Sequence, residues 1–449
     1  MKFIKAKVFI LAVAMPVMFP SPASAQLQIY HWVTIAGLAG QSGSADGTNS
    51  AARFSGPGGM AVDSAGNLYV ADQKNGTVRK LTPVGTNWVS STIAGLAGHN
   101  GSADGTNSAI RFIGGDELGW VAVDSAGNVF VADWGNNTIR KLTPVGTNYV
   151  SSTIAGLAGQ SGSADGTNSA ARFNGPNDVA LDSAGNLFVA DFGNSTIRKL
   201  TPVGTNWVSS TIAGLAGHNG SADGTNSAAR FNVTIGLAVD SGGNVYVADY
   251  ANSTIRKLTP VGTNWVTSTI AGLAGHSGGA DGTNSAARFS GPGGVAVDSA
   301  GNVYVADSAN DAIRKLTPIG TNWVTSTIGG LFSHTGFADG TNSAARFNLP
   351  DGLRVDSAGN VYVAEGMNNT IRKGVPLPEF QSVTHTHAGI EFTWSATVGQ
   401  RLQLQYNSDL TSTNWTNLGN TMTATNGTMS SSDTLGTDTT RFYRIILRP

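Results

Sequence analysis

Apolar residues come in short runs, in the same order, six times along this chain. In the fifth occurrence Gly294-Val295-Ala296-Val297 is followed by the turn residues Ser299-Ala300-Gly301-Asn302 and then by Val303-Tyr304-Val305-Ala306. A polar stretch from Ser308 to Asp311 leads into Ala312 to Leu316, the turn Thr317-Pro318-Ile319-Gly320 and a last run from Trp323 to Ile328. Such short runs, β-rich, apolar on both faces and bounded by Gly, Pro, Asn and Asp, predict strands buried on two sides. Gly301 supplies the positive φ that the turn between the first two needs. The expectation is four antiparallel strands per unit. The long segment Gly272 to Pro292 returns the chain from the outer edge of one unit to the inner strand of the next.

The marker Ile-Ala-Gly-Leu-Ala-Gly begins at Ile35, Ile93, Ile154, Ile212 and Ile270, and a degraded copy begins at Ile328. The spacings are 58, 61, 58, 58 and 58 residues. A period this regular, carrying strand-length runs, means a solenoid or a propeller. Four antiparallel strands repeated radially make propeller blades. Tyr30 stands five residues before Ile35, as Trp88 does before Ile93, whereas the last copy ends at Thr370-Ile371-Arg372-Lys373 without a fourth strand. The strand at Tyr30 to Ala36 is therefore expected to complete the last blade and leave no open edge.

The motif Gly-Val-Ala-Val-Asp-Ser-Ala-Gly-Asn-Val-Tyr-Val-Ala-Asp at 294–307, with Asn310 and Ile313-Arg314-Lys315 after it, resembles the NHL-repeat propeller family. Close versions occur in all six copies, so the resemblance covers about residues 27–377. It implies an all-β, six-bladed β-propeller. It does not imply one activity, because the family includes binding scaffolds, sensor ectodomains and a few enzymes. The long inter-blade segment departs from the family's shorter repeat.

Outside the repeat, residues 1–25 read as a signal peptide: Lys2, Lys5 and Lys7, then the apolar stretch Val8 to Phe19, then Ala23-Ser24-Ala25 before Gln26. The stretch is too short for a membrane span of about 20 residues. Export, to the medium, periplasm or cell surface, is the expected fate. From about Val375 the repeat stops and the composition turns to Thr, Asn and Ser. Gly389 to Ala396, Arg401 to Tyr406 and Arg441 to Leu447 read as strands of a small C-terminal β-sandwich. It is similar to the fibronectin-type appendages of secreted bacterial proteins, and a cell-surface attachment is one use for it. The expected domains are thus 1–25, 26–377 and 378–449, with Val375-Pro376-Leu377-Pro378 as the linker.

Charge adds a constraint. Of 27 basic residues, 18 sit at three fixed repeat positions, and so do 18 of 28 acidic ones. The signs balance within each copy, which predicts local pairing and argues against a nucleic-acid partner. The chain has no Cys, so stability must come from packing.

Several side chains are candidates for chemistry. His99, His218, His276 and His334 share one repeat position with Gln41 and Gln160. That position follows the outermost strand, so the copies should not converge on one ion, and a solvated loop is the better reading. The Asp-Gly-Thr-Asn runs at Asp46, Asp104, Asp165, Asp223, Asp281 and Asp339 offer oxygens suited to calcium, but no EF-hand loop matches. A side-chain-held Asx turn is preferred there, and no cofactor is expected. Asp72, Asp133, Asp191, Asp249 and Asp307 should accept loop N–H groups or pair with a repeat Arg. Asp178 and Asp351 precede inner strands, where carboxylates near the axial mouth could hold a divalent ion as in lactonase-like propellers. His385 and His387 share a strand face in the C-terminal domain.

One loop position varies sharply, just after the strand-end acid: Gln73, Trp134, Phe192, Tyr250, Ser308 and Gly366. Trp134, Phe192 and Tyr250 form an arc on three consecutive copies, beside the inserted Asp116-Glu117 and Trp120. Such rings either face a sugar or a peptide or tuck between neighbouring blades. The leading reading is an exported, non-enzymatic scaffold that binds a protein, peptide or glycan on the face of its long inter-blade loops. The alternatives are a metal-dependent propeller hydrolase or lyase and a structural cell-surface module.

Overall fold

The computed structural model describes residues 7–10, 28–386, 389–396, 399–409, 414–434 and 440–448. Two compact units result: Tyr30–Val375, and Pro376–Pro449 together with the segment before Tyr30.

Within Tyr30–Val375 the repeat folds into six sheets among the described residues. In the fifth copy the order from the inside is Pro292–Val297, Val303–Asp307, Ala312–Ile319 and Asn322–Gly330, all antiparallel. Every residue of Val303–Asp307 is buried, as the two-sided apolar run requires. The Asp298 carboxylate holds the first turn by accepting the N–H of Ala300 at 3.0 Å and of Asn302 at 2.9 Å, and Gly301 takes φ 81°. The architecture is that of a β-propeller.

One element escapes a pattern reading. The sheet has a fifth strand, Gly282–Thr283, two residues of the long segment that pair with Thr325 and Val324 on the outer edge. The long segment therefore does more than return the chain. It covers the edge that an outer strand would otherwise present to other chains. The last sheet takes Tyr30–Gly37 as the strand beside Thr370–Pro376, with Gly340–Thr341 outside it. Innermost strands neighbour one another in chain order, and Pro350–Val355 lies beside Pro57–Val62.

The core is distributed between sheets rather than gathered in one place. Ala296, Tyr304 and Ile313 of the fifth copy, for example, pack with Phe347, Leu353 and Val361 of the sixth. Outer-strand tryptophans cross four of the seams edge-on, among them Trp207 on Phe130 at 5.7 Å, Trp265 on Phe188 at 5.6 Å, and Trp88 on Tyr362, of the first and last copies, at 5.8 Å.

The C-terminal unit consists of two sheets around Phe392, Trp394, Leu402 and Tyr443. One holds Phe380–Thr386, Gly389–Ser395 and Thr428–Asp433; the other centres on Arg401–Asn407 and Thr440–Arg448. Of the expected leader only Lys7–Ile10 lies among the described residues, parallel to Thr440–Tyr443. The rest of it, and His387, lie outside them. We expect residues 26–377 to fold alone, because no repeat motif crosses the proline-containing linker. Its melting should be cooperative and match the propeller transition of the full chain. Aggregation relieved only by restoring 378–449 would show a shared core.

Candidate functional site

The repeated charges are consumed by structure. Arg198 is fully buried. Its Nη1 donates to Asp191 Oδ2 at 2.8 Å and to the Arg172 carbonyl at 2.8 Å. Nη2 donates to Asp165 Oδ1 at 2.7 Å and to the Ala164 carbonyl at 2.9 Å. The guanidinium lies over the Phe173 ring, 4.9 Å from its centre. The same Arg, strand-end acid and segment Asp recur in every copy, with Glu365 as the acid in the last. This planar fork with carboxylates on two sides is a job for Arg rather than Lys. It corrects the expectation for Asp46, Asp104, Asp165, Asp223, Asp281 and Asp339. These are not Asx turns: Asp165 reaches the outer strand, accepting the Thr211 N–H at 2.9 Å. The Asx turns are at the Val-Asp-Ser positions instead, such as Asp63 and Asp298.

The histidine position is exposed in all four copies, and His99, His276 and His334 each turn Nδ1 to a carbonyl two residues back. Among the described residues no group of three or more His, Cys, Asp or Glu is placed to hold a metal ion.

The long segments and the loops between second and third strands lie together on one face. Asn75 Nδ2 bonds the Gly43 carbonyl at 2.7 Å, and Asn194 does the same to Gly162, tying each loop between second and third strands to the long segment. The varied position opens a short 3-10 turn: Trp134–Asn136, Phe192–Asn194, Tyr250–Asn252 and Ser308–Asn310. The Trp134 and Phe192 rings touch, 5.3 Å apart and tilted by 50°, and both are half-buried. Trp134 lies over Gly175 and Tyr250 over Gly291, each in the following copy's segment. Those glycines have φ 60° and 54°, so a side chain there would be both strained and overlapping. Tyr250 nevertheless stays 39% exposed.

Trp120 does not join this arc. It is 1% exposed and packs on the first copy's inner strand, where any Cβ at Gly59 would overlap its indole. An aromatic in an insertion reads as surface, but Gly59 leaves a slot that the ring fills. Asp116 and Glu117 do lie on the surface, Asp116 3.8 Å from Lys74 and Glu117 against Gly135.

Asp178 and Asp351 are brought near the axis but differ in kind. Asp178 is completely buried and spent: it accepts the Val179 and Leu237 N–H groups, both at 2.7 Å, and pairs with Arg354 at 3.2 Å. Arg354 comes from the sixth copy and reaches the third, across the ring of inner strands. It stands where the other five copies have Ala61, Ala122, Ala180, Ala238 and Ala296, and it lines a cavity of about 180 Å³ with them. Sequence reasoning passed over Arg354, although it is the one departure in a row of alanines. Asp351 has no hydrogen-bond partner among the described residues. Desolvation first, then repulsion from Asp178 and Asp116, pushes its carboxyl up to about 7.

That shift has a stability consequence. The folded value lies above the unfolded one, so the folded state holds the proton more tightly. The contribution of Asp351 is then most favourable below about pH 4 and is lost as the pH rises through 7. Asp351→Asn should match the wild type near pH 4 and exceed it by about 2 kcal/mol at pH 8, after allowance for the solvent reaching this half-buried group. Denaturant melts at the two pH values check this; a variant less stable at pH 8 would mean that the carboxylate has a partner.

Comparison with known proteins places this geometry. Residues 54–81, 173–200, 231–258 and 289–316 match the family model described as NHL repeat. NHL repeat-containing protein 2 of Gallus gallus is 29% identical over 323 residues, covering 64% of this chain and 42% of that protein. The chain spans less than half the length of the curated relatives it matches. Among solved structures, a protein of unknown function from Bacteroides thetaiotaomicron VPI-5482 is 23% identical with a TM-score of 0.58, over 77% of this chain and 76% of that one. An auxiliary nutrient binding protein from Bacteroides ovatus ATCC 8483 is 17% identical with a TM-score of 0.57, over 78% of each chain. At these identities the structural likeness concerns the fold alone. The repeats, their fold and these matches agree: the chain belongs to the NHL-repeat β-propeller family.

Proposed function

We propose that the chain is an exported scaffold that captures a ligand (protein, peptide or glycan) on the face carrying the long segments and the 3-10 turns. The observation that carries this reading is the contrast between spent and unspent groups. The Arg that precedes the repeat Lys is buried in an ion pair in every copy, whereas Tyr250 remains 39% exposed and Asp351 lacks a partner among the described residues. An exposed ring and an unpaired carboxylate are what a binding face retains and a purely structural surface has no need of. The name of the Bacteroides ovatus propeller, an auxiliary nutrient binding protein, is in keeping with it. Among the described residues no helix is long and apolar enough to cross a membrane. The C-terminal unit would serve for attachment at a cell surface.

The test is a glycan and peptide array probed with the full chain and with the Trp134→Ser, Phe192→Ser, Tyr250→Ser triple variant. We expect the triple variant to lose capture while its melting falls by no more than about 1–2 kcal/mol, since two rings are half-buried. A collapse in stability would assign the rings to packing between copies. Unchanged capture would move the site elsewhere.

A further inference from the structure

In the propeller each Arg before a repeat Lys is spent on two carboxylates. Two arginines of the C-terminal unit are not. Along Arg401–Asn407 and Thr440–Arg448, Leu402, Leu404, Ile445 and Leu447 turn into the core. Strand alternation then puts Arg401, Gln405, Arg444 and Arg448 on the opposite face, with Gln405 opposite Arg444 and Arg401 opposite Arg448. Arg441, on the same strand but the other face, pairs with Asp433 at 2.6 Å. Arg444 and Arg448 have no carboxylate partner among the described residues. Instead Arg444 Nε donates to Gln405 Oε1 at 2.8 Å, and Gln405 Nε2 donates to Asn417 Oδ1 at 2.7 Å. Arg448 Nη2 donates to that same oxygen at 3.3 Å. One amide pair thus tethers both guanidiniums. Both terminal nitrogens of Arg444, and Nε and Nη1 of Arg448, keep no acceptor among the described residues.

This arrangement is costly. Arg401 and Arg448 face each other across the ladder, where like charges repel. Desolvation first, then repulsion from Arg448, lowers the proton affinity of Arg444. The geometry is held all the same. Gln405 is only 5% exposed, and the Arg444 guanidinium lies over the Trp415 ring, 4.3 Å from its centre. A ring beneath the guanidinium fixes its plane and directs its N–H edge away from the ring. Positive charge kept at a cost, oriented and short of acceptors suits an oxyanion, and planar forks suit carboxylates above all.

The rest of the unit indicates what carries the anion. Residues 376–449 contain four arginines, no lysine and five acidic residues. Anionic membranes and nucleic acids are bound through an excess of basic residues, which this unit lacks. Two forks set among neutral amides and an indole match carboxylates carried singly on a hydroxylated chain.

We propose that this face binds an acidic polysaccharide, with Arg444 and Arg448 gripping its carboxylates and Trp415 holding Arg444 in place. The proposal rests on the attachment role of the C-terminal unit and names its ligand class.

The experiment is biolayer interferometry of the full chain on polygalacturonate, with fully methyl-esterified polymer, phosphatidylglycerol vesicles and single-stranded DNA as the other probes. The wild type should bind polygalacturonate, and should ignore the esterified polymer, which has the same sugars without the charge. Arg444→Gln and Arg448→Gln should each weaken binding about tenfold, the loss of one charge-assisted pair, and the double variant should abolish it. Arg172→Gln, which removes the same charge from the propeller, should leave binding unchanged. Changing both Arg444 and Arg448 to Lys keeps the charge and loses the forks, so binding should weaken several-fold. Wild-type binding by either double variant, equal binding of the esterified polymer, or tighter binding of vesicles or DNA would overturn the proposal. The Trp134→Ser, Phe192→Ser, Tyr250→Ser variant should bind polygalacturonate normally; loss there would move the acid site to the propeller and overturn this one. Ring-dependent capture on the array with no binding of polygalacturonate would also overturn it, and would leave the scaffold reading standing.

Discussion

Replacing Arg198 by Ala should destabilise the propeller by about 3–5 kcal/mol at pH 8, the cost of breaking a buried ion pair from one side. Asp191 is completely buried, and in the variant only the Asn174 N–H and Asn194 Nδ2, both at 2.8 Å, still reach it. Burial already pushes its carboxyl up to about 6 with the guanidinium in place. Without Arg198 the value must climb further, so the loss relative to the wild type grows as the pH rises from about 6 through that higher value. At pH 5 the carboxyl of the variant is protonated and much of the loss disappears. The neighbouring Lys199, half-buried with its ammonium over the Phe188 ring at 5.7 Å, is the control; Lys199→Ala should cost under about 1 kcal/mol at either pH. Denaturant melts at pH 5 and pH 8 decide it. A loss that is small, or independent of pH, would mean that Asp191 is not ionised in the folded protein.

The network explains what could be read from the sequence and what could not. Strand positions and the N-terminal outer strand were legible because they depend on local patterns: Val303-Tyr304-Val305 is apolar on both faces, and Gly301 and Asn302 mark its turn. Gly282–Thr283 was not, because a two-residue edge strand has no period and no apolar signal. Asp46 and Asp63 sit in equally turn-rich surroundings. What separates them is Arg79, 33 residues beyond Asp46 in the chain and 2.7 Å from it in space. Trp120 was misplaced for the same reason, since its slot is cut by a glycine in another copy. The Trp134, Phe192 and Tyr250 arc was legible as variation against a constant repeat. The unpaired state of Asp351 was not, because it depends on which carboxylate Arg354 reaches. In the C-terminal unit, Thr428–Asp433 shows alternating exposure but little hydrophobicity, which hid it.

Deleting residues 26–37 should be the most damaging change of all. Tyr30, Trp32, Ile35 and Ala36 are buried in the last sheet. Burial of three such large side chains is worth roughly 5–9 kcal/mol, which rivals the whole stability of many domains. The strand is also specific to its place. Trp32 stands where the other copies have Ser90, Ser151, Ser209, Thr267 and Thr325, and its Nε1 donates to the Ile328 carbonyl at 2.9 Å. Its indole needs two departures from the repeat. Gly329 replaces the usual Ala, with its Cβ position 2.5 Å from Trp32 Nε1, and Gly374 replaces the usual Leu, 2.7 Å from the ring. The truncated protein is expected to be unfolded or aggregated at 25 °C, and a synthetic peptide of residues 26–39 added in trans should restore a cooperative melt. Gly374→Leu alone should be strongly destabilising, because Leu cannot share the space with Trp32. The triple change Trp32→Ser, Gly329→Ala and Gly374→Leu converts the seam to the repeat's own solution and should recover most of that loss. If the truncated chain melts like the full one, or if Gly374→Leu is tolerated beside Trp32, the N-terminal strand does not hold the last sheet in the way proposed.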